Sequence, residues 1–371
     1  HLSSSLQNDE PPSLPPSLLS SIRNIKDAIF VSSTHLAFGS PALPTFLKAI
    51  RKGWLSSVRG LTGAIVSRNP PQSIATAQGH MDLIRQHIRS TQPKPPPSSA
   101  TLGPVTRSQH AVSSTKVPFV TETSSKDPFS PEPFSEEAQT FLVPRKDWAA
   151  SDLTGRFPHK SRSGMEYLLV TVYHGYTHIV PMPSKHAASY VKAFSSTLSF
   201  FSDLGHPITN LISDNESSAE VKSFFRSSTP PCIVQFVAPH NHRANFAERY
   251  IRTTKNHIIS TLASIHVTFP LDLWDKLLPL IELTLNHLQP WHPDPTLSAY
   301  HGLHGLPFDF NAHPIRPAGE LCYVLESPLT RASWATHSTR AFYLGPAVHS
   351  YRCHHVYIVK TASTRITDTI R

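Results

Sequence analysis

Between Phe141 and Leu288 the apolar positions change their period repeatedly, and each change marks an element. Alternation through Trp148 to Arg156, Glu166 to Tyr173 and Thr177 to Met182 predicts three strands, joined by turns at SRSGM and HGY. A helical spacing follows from His186 to Asp203 and stops at Gly205. Ile208 to Ser213 is a short apolar run of the kind buried on both faces of a sheet. Ser218 to Arg226 reads as a helix and Cys232 to Val237 as a fifth strand. Two long helices close the region, Arg243 to Ser264 and Pro270 to Leu288, the second opening on a proline, which suits a first helical turn. Three strands in hairpin order followed by alternating helix and strand give an α/β domain, a mixed five-stranded sheet with helices on both faces.

The flanks carry different patterns. Residues 1–27 include PPSLPPSLLSS, which has too little apolar surface to order itself and reads as a disordered tail. Over residues 28–90 the pattern is helical: Leu43, Phe46, Leu47 and Ile50 share one face of LPTFLKAIRKGWL, and GHMDLIRQHIRS is a second short helix. Residues 91–140 have no sustained period and are dense in Pro, Ser and Thr, the composition of a disordered linker. Past Leu297, over residues 297–371, GELCYVLESP, TRAFYLGPA, YRCHHVYIV and TRITDTIR are four short alternating strands that suggest a small barrel.

Composition narrows the partner. The 371 residues carry a formal net charge of +9 and 23 histidines, a balance that favours a polyanion. Cys232, Cys322 and Cys353 are odd in number and far apart, so neither a disulfide framework nor a CxxC zinc site is indicated. A zinc module built on His80 and His87 lacks cysteine partners, because no cysteine precedes Cys232. No apolar run approaches the roughly 18 residues of a membrane span. The chain begins at His1 without an initiator Met, which reads as a piece of a longer polyprotein.

Three acids stand where plain burial would disfavour them. Asp214 follows the apolar LIS, Glu248 sits in the first turns of a long helix, and Asp152 lies upstream in AASDLTGRF. Singly, each has a structural explanation: Asp152 as a turn acid beside Thr154 and Gly155, Asp214 in an Asx turn with Asn215, and Glu248 facing the helix dipole. Together they suit divalent cations held between strand ends and a helix. Their order, with 61 and 33 residues between them, resembles the Asp, Asp, Glu triad of retroviral and retrotransposon integrases. The second gap is slightly short for that family, a difference that a trimmed loop between Ser227 and Cys232 would absorb. Asp147, Glu216 and Glu220 are nearby competitors, Asp147 the foremost because it lies on the same predicted strand.

The resemblance extends to GSPALPTFLKAIRKGW and TAQGHMDLIRQHIRST, which are similar to the pre-integrase region of copia-type LTR retrotransposons. It continues through SDLTGRFPHKS, ISDNESS, APHNHRANFAERYIRTTKNH, FPLDLWDKLLPLIELTLN and LSAYHGLHGLPFDFN. It implies an RNase H-like core, followed by an SH3-like β segment cut short at Arg371. It also implies Asp152, Asp214 and Glu248 as catalytic ligands of two Mg²⁺ (or Mn²⁺) ions, roughly 3.5–4 Å apart. The activity implied is a polynucleotidyl transfer that nicks LTR DNA ends and joins their 3'-hydroxyls to target DNA. Arg252 and Lys255 follow Glu248 on one helix face and would hold the DNA end. Arg249, Asn256 and His257 flank that stripe, and His242, Arg243 and Asn245 of PHNHRAN would touch the same DNA. The expected partners are double-stranded DNA and further copies of the chain, with no membrane. The expected location is the nucleus during action on target DNA and a cytoplasmic particle before that. Two alternatives stand beside this reading: a catalytically inactive nucleic-acid-binding fragment, and an RNase H-like nuclease that cuts RNA–DNA hybrids.

Overall fold

The centre of the molecule is a strand with no polar face to show solvent, YLLVTVY. In a computed structural model that describes residues 16–81, 148–213, 218–236, 247–326, 329 and 331–371, it is the second strand of a five-stranded sheet. β1 (Ala149–Leu153) and β3 (Tyr176–Met182) pair antiparallel on either side of β2 (Tyr167–Tyr173). His174 and Gly175 both take positive φ, 50° and 92°, the geometry that lets a two-residue turn follow the twist of a hairpin. A crossover through α5 (Ala187–Asp203) returns the chain to β4 (Asn210–Ser213), parallel to β1. A second crossover, through α6 (Ala219–Ser227), leads to β5 (Ile233–Phe236). The sheet order β3-β2-β1-β4-β5, antiparallel in its first half and parallel in its second, is the RNase H-like arrangement expected from the element order.

Alternation along β2 sorts the core into two layers. Leu169 points with Ala149, Tyr176 and Leu211 toward Phe194 and Phe201 of α5, whose buried side chains recur at helical spacing. Leu168, Val170 and Val172 point the other way, toward Ile251 and Ile258 of α7 (Ala247–Ala263) and Ile281 of α8 (Leu278–Leu288). Val170 and Val172 are fully buried, each worth about 1.5–3 kcal/mol of transfer free energy. The edge of the sheet is closed by side chains of α8. Asn286 accepts the Thr177 N–H and donates to the Thr177 carbonyl, both at 2.8 Å, while Glu282 accepts from the Ile179 N–H at 2.9 Å and the Tyr176 hydroxyl at 2.9 Å. β3 is thereby denied to a further strand.

Two elements differ from the sequence reading. The helix expected from Pro270 to Leu288 is broken: Leu271–Leu277 is a 3-10 segment, and α8 starts only at Leu278. Pro279 has no N–H to give the Asp275 carbonyl, and the Leu278 N–H takes that acceptor instead. Residues 1–15 of the stretch read as a tail lie outside the described residues, but from Pro16 the chain is helical, as α1 (Pro16–Ala37), with Val31 in its later turns and Phe38 just past its end buried in a core. The linker read over 91–140 lies outside the described residues, as does most of GHMDLIRQHIRS.

The N-terminal helices do not stand apart. Phe38, with Phe46 and Ala49 of α2 (Leu43–Arg51) and Val66 of α3 (Gly63–Arg68), shares a core with Leu283 and Leu288 of α8 and with Phe308 and Phe310. α4 (Ile74–His80) lies along α7 at a contact made by glycine. A Cβ on Gly79 would stand 2.6 Å from the Asn256 carbonyl oxygen and from the Ser260 nitrogen, backbone atoms that cannot turn aside. Gly79→Ala is expected to cost about 1–3 kcal/mol, read as a lower urea midpoint and faster proteolysis within residues 16–81. An unchanged midpoint would mean that α4 is not held this closely.

After α9 (Ala299–His304), β6 (Leu321–Leu325), β7 (Ser338–Pro346), β8 (His354–Ile358) and β9 (Ser363–Thr367) form a separate antiparallel meander. Val324 bridges Ile370, and Tyr323 and Arg371 exchange both backbone hydrogen bonds at 2.7 and 2.9 Å, joining the first strand to the chain beyond the last. The four strands thus close into a small barrel, whose Cys322, Val324 and Tyr343 join the core of the α7–α8 layer.

Candidate active site

Asp152 occupies the last-but-one position of β1, opposite Val170 of β2. Directly opposed residues of an antiparallel pair share a face, so Asp152 belongs to the face covered by α7. It is half-buried, and its Oδ1 accepts the Leu153 N–H at 2.7 Å. Its neighbour Ser151 is buried on the opposite face, hydrogen-bonded to Thr171. Beyond Leu153 the chain stays tied to β2: the Thr154 N–H donates to the Leu168 carbonyl at 2.9 Å, and its hydroxyl accepts from the Leu168 N–H at 3.1 Å. The carboxylate therefore sits on rigid backbone, at the carboxyl end of a strand that runs parallel to β4. Open α/β sheets bind ligands at such ends.

β1 and β4 are in register through Ser151 and Ser213, and Asp152 and Asp214 are the residues that come next in sequence. Asp214 lies outside the described residues, as do His242, Arg243, Asn245, Asp147 and Glu216. Glu248 stands in the first turn of α7, which packs on β1 and β2 through Ile251 and Ile258; its side chain is not among those described. Glu220 is exposed in the first turn of α6, where it faces that helix's dipole.

The cleft at Asp152 has a volume of about 260 Å³ and opens toward α5 and α6: Leu169, Lys185, Tyr190, Phe194, Ser213 and Val221 line it, and no described residue of α7 does. Lys185 and Tyr190 were not singled out by sequence reading. They come from the turn into α5 and from its first turns, and no spacing ties them to the acids. Lys255 is exposed and opens onto a second, larger groove, which shares Thr154 and Gly155 with the first cleft. Arg252 is exposed one turn nearer the start of α7. Arg249 is exposed on another side of the helix, near Tyr250 and His292, which hydrogen-bond each other. Burial raises the Tyr250 pKa, with Arg249 opposing, and burial lowers that of His292, with Arg249 adding to the effect.

His257 does not flank a DNA-facing stripe. It is 2% exposed, beneath the N-terminal helices, with Nε2 2.9 Å from Thr284 Oγ1. Its pKa is pushed down to about 3, first by burial and then by the nearby His80. Among the described residues, which do not include Asp214 or the Glu248 side chain, no group of three His, Cys, Asp or Glu side chains could hold a metal. Of the described residues lining the cleft, Asp152 is the one with a carboxylate, the hard oxygen donor that Mg²⁺ or Mn²⁺ prefers. No helix among the described residues is long and apolar enough to cross a membrane.

No protein-family model and no curated protein matches the chain. Among solved structures it is similar to a chain of the simian T-cell lymphotropic virus intasome in complex with the PP2A regulatory subunit B56 gamma. That match has 16% identity and a TM-score of 0.31, covering 60% of this chain and 80% of that one. It is also similar to the catalytic core domain of BIV integrase, with 13% identity and a TM-score of 0.32, covering 43% of this chain and 93% of that one.

Proposed function

We propose that the chain is the integrase region of a copia-type LTR retrotransposon polyprotein, a polynucleotidyl transferase that nicks LTR DNA ends and joins their 3'-hydroxyls to target DNA. The observation that supports it best is Asp152: a half-buried carboxylate at the carboxyl end of β1, on the sheet face over which α7 runs with Arg252 and Lys255 exposed. In this reading Asp152, Asp214 and Glu248 hold two Mg²⁺ or Mn²⁺ ions, which when bound activate the attacking oxygen and neutralise charge on the leaving one. Arg252 and Lys255 hold phosphates of the DNA end, and Arg249, His242, Arg243 and Asn245 take flanking contacts. Joining two DNA ends needs more than one site, so the acting form is a multimer on DNA, in the nucleus, after assembly in a cytoplasmic particle.

The test is a strand-cutting and joining assay with purified protein, an LTR-end duplex and Mg²⁺ or Mn²⁺. Nicked and joined products are expected. Cleavage of an RNA–DNA hybrid with the LTR-end duplex left intact would replace this reading with that of a hybrid-cutting nuclease. DNA binding without any nicking would leave a non-catalytic binding fragment. The DNA grip has its own measure. Arg252→Ala and Lys255→Ala should each lower the slope of log affinity against log salt by about 1, uniformly across sequences. An unchanged slope in both would remove α7 from the DNA-binding face.

A further inference from the structure

One face of α7 changes chemistry halfway along its length. Arg252 and Lys255 are followed at the same helical spacing by Ile259 and Leu262, and here the surface opens into a groove of about 670 Å³. Ile258, Leu262 and Leu271 form its apolar wall together with Phe157, which stacks on Trp274 at 4.2 Å. Ile259 and Leu271 are 48% and 46% exposed. A single exposed aliphatic side chain is ordinary, but a contiguous apolar concavity of this size marks a recognition surface.

The charge around the groove identifies its occupant. Among the described residues, the ionisable ones lining it are Arg156, His159 and Lys255, with no carboxylate. Arg156 is engaged with Glu166 at 2.9 Å, whereas Lys255 makes no ion pair among the described residues. A nucleic acid would satisfy the cations but leave the aliphatic wall facing phosphate and water. An apolar ligand without charge would leave the cations unused. We propose that the groove binds an acidic amphipathic peptide segment of a partner protein, its aliphatic side chains seated against Ile259, Leu262 and Leu271 and its carboxylates paired with Lys255 and Arg156. Apolar anchors one helical turn apart, with acids between them, are the pattern that suits such a groove. This proposal shares Lys255 with the DNA grip proposed above, so the peptide and a DNA end would compete for that one ammonium group.

The probe is a fluorescein-labelled peptide of about 14 residues with Leu at helical one-face spacing and Glu elsewhere, titrated with the full chain by fluorescence anisotropy. Saturable binding is expected. Ile259→Asp and Leu271→Asp should each weaken it at least tenfold without changing the far-ultraviolet circular dichroism, since both side chains are substantially exposed. A peptide with Lys in place of Glu should bind at least tenfold more weakly. Absence of saturable binding, or affinity indifferent to both substitutions, would overturn the proposal. So would protection of Ile259→Cys from thiol labelling by duplex DNA but not by the peptide, which would assign the groove to DNA. Self-association lost in Ile259→Asp, seen by sedimentation equilibrium, would assign it to a second copy. None of these outcomes bears on DNA nicking, which is measured separately.

Discussion

Asp152→Asn is expected to reduce DNA nicking and joining by about 100-fold or more while leaving the melting temperature within about 2 °C of the parent. The two halves of that expectation have different causes. The side chain accepts the Leu153 N–H at 2.7 Å, and the amide oxygen of Asn can accept that hydrogen bond equally well. The position is half-buried in a cleft, not enclosed in a core, so the isosteric change removes no packing. What it removes is negative charge and a hard anionic donor, and a site that must hold divalent cations has no substitute for either. The same loss is expected for Asp214→Asn. Activity that survives either substitution would remove that residue from the site, and a variant that melts far below the parent would show that the carboxylate is structural. If Asp152→Asn is active and Asp147→Asn is not, the chemistry stands and its first ligand moves to Asp147.

The sheet was legible in the sequence because its determinants are local. Period-two runs bounded by turn residues mark β1 to β3, and His174-Gly175 fixes their hairpin. The amphipathic spacing of α5 then dictates a crossover. What escaped was decided between distant elements. Glu282 and Asn286 look like the polar side of a surface helix, yet they satisfy the backbone and side chains of β3, more than a hundred residues away. Thr254, His257 and Ser260 extend what reads as a solvated polar face of α7, and they are buried only because α4 and Gly39 lie over them. The barrel's closure depends on Arg371, outside any strand, pairing with Tyr323. The site divides in the same way. Asp152 announces itself as an acid at a strand end, whereas Lys185 reaches the same cleft from a turn whose path is set by the whole α5 crossover.

Acidification alone should destabilise the protein, beginning well above the carboxylate range. His257 and His287 are buried, at 2% and 1% exposure, and burial pushes their pKa values down to about 3 and about 4 from an ordinary 6.5. Their hydrogen bonds show why. Thr284 Oγ1 lies 3.0 Å from the Leu280 carbonyl and donates to it, so it accepts from His257 Nε2. His287 Nδ1 donates to the Leu283 carbonyl at 2.7 Å, and Nε2 is left buried without a partner in a cage formed by Tyr300, Phe308 and Phe310. Neither ring can take a second proton without placing a charge in an apolar interior. Unfolding releases both to titrate near 6.5, so between about pH 6.5 and the folded values the unfolded state binds more protons, and stability falls as pH falls. Each group contributes a loss of up to about 1.4 kcal/mol per pH unit in that window. From pH 7.5 to 5.5 the pair should cost about 2–3 kcal/mol, several degrees in melting temperature. Glu166, Asp294 and Asp309, whose pKa values are lowered by hydrogen bonds, add their own losses only near pH 4 and below, so the upper window belongs to histidines, and His35, His292, His304 and His354, which burial also lowers, add to the fall there. Urea midpoints at pH 7.5, 6.5 and 5.5 give the measurement. His257→Gln, which keeps a donor for Thr284 but cannot be protonated, should reduce the fall between pH 7.5 and 5.5 by about 1.4 kcal/mol, and a midpoint that stays constant down to pH 5.5 in the parent chain would mean that these rings are not enclosed as described.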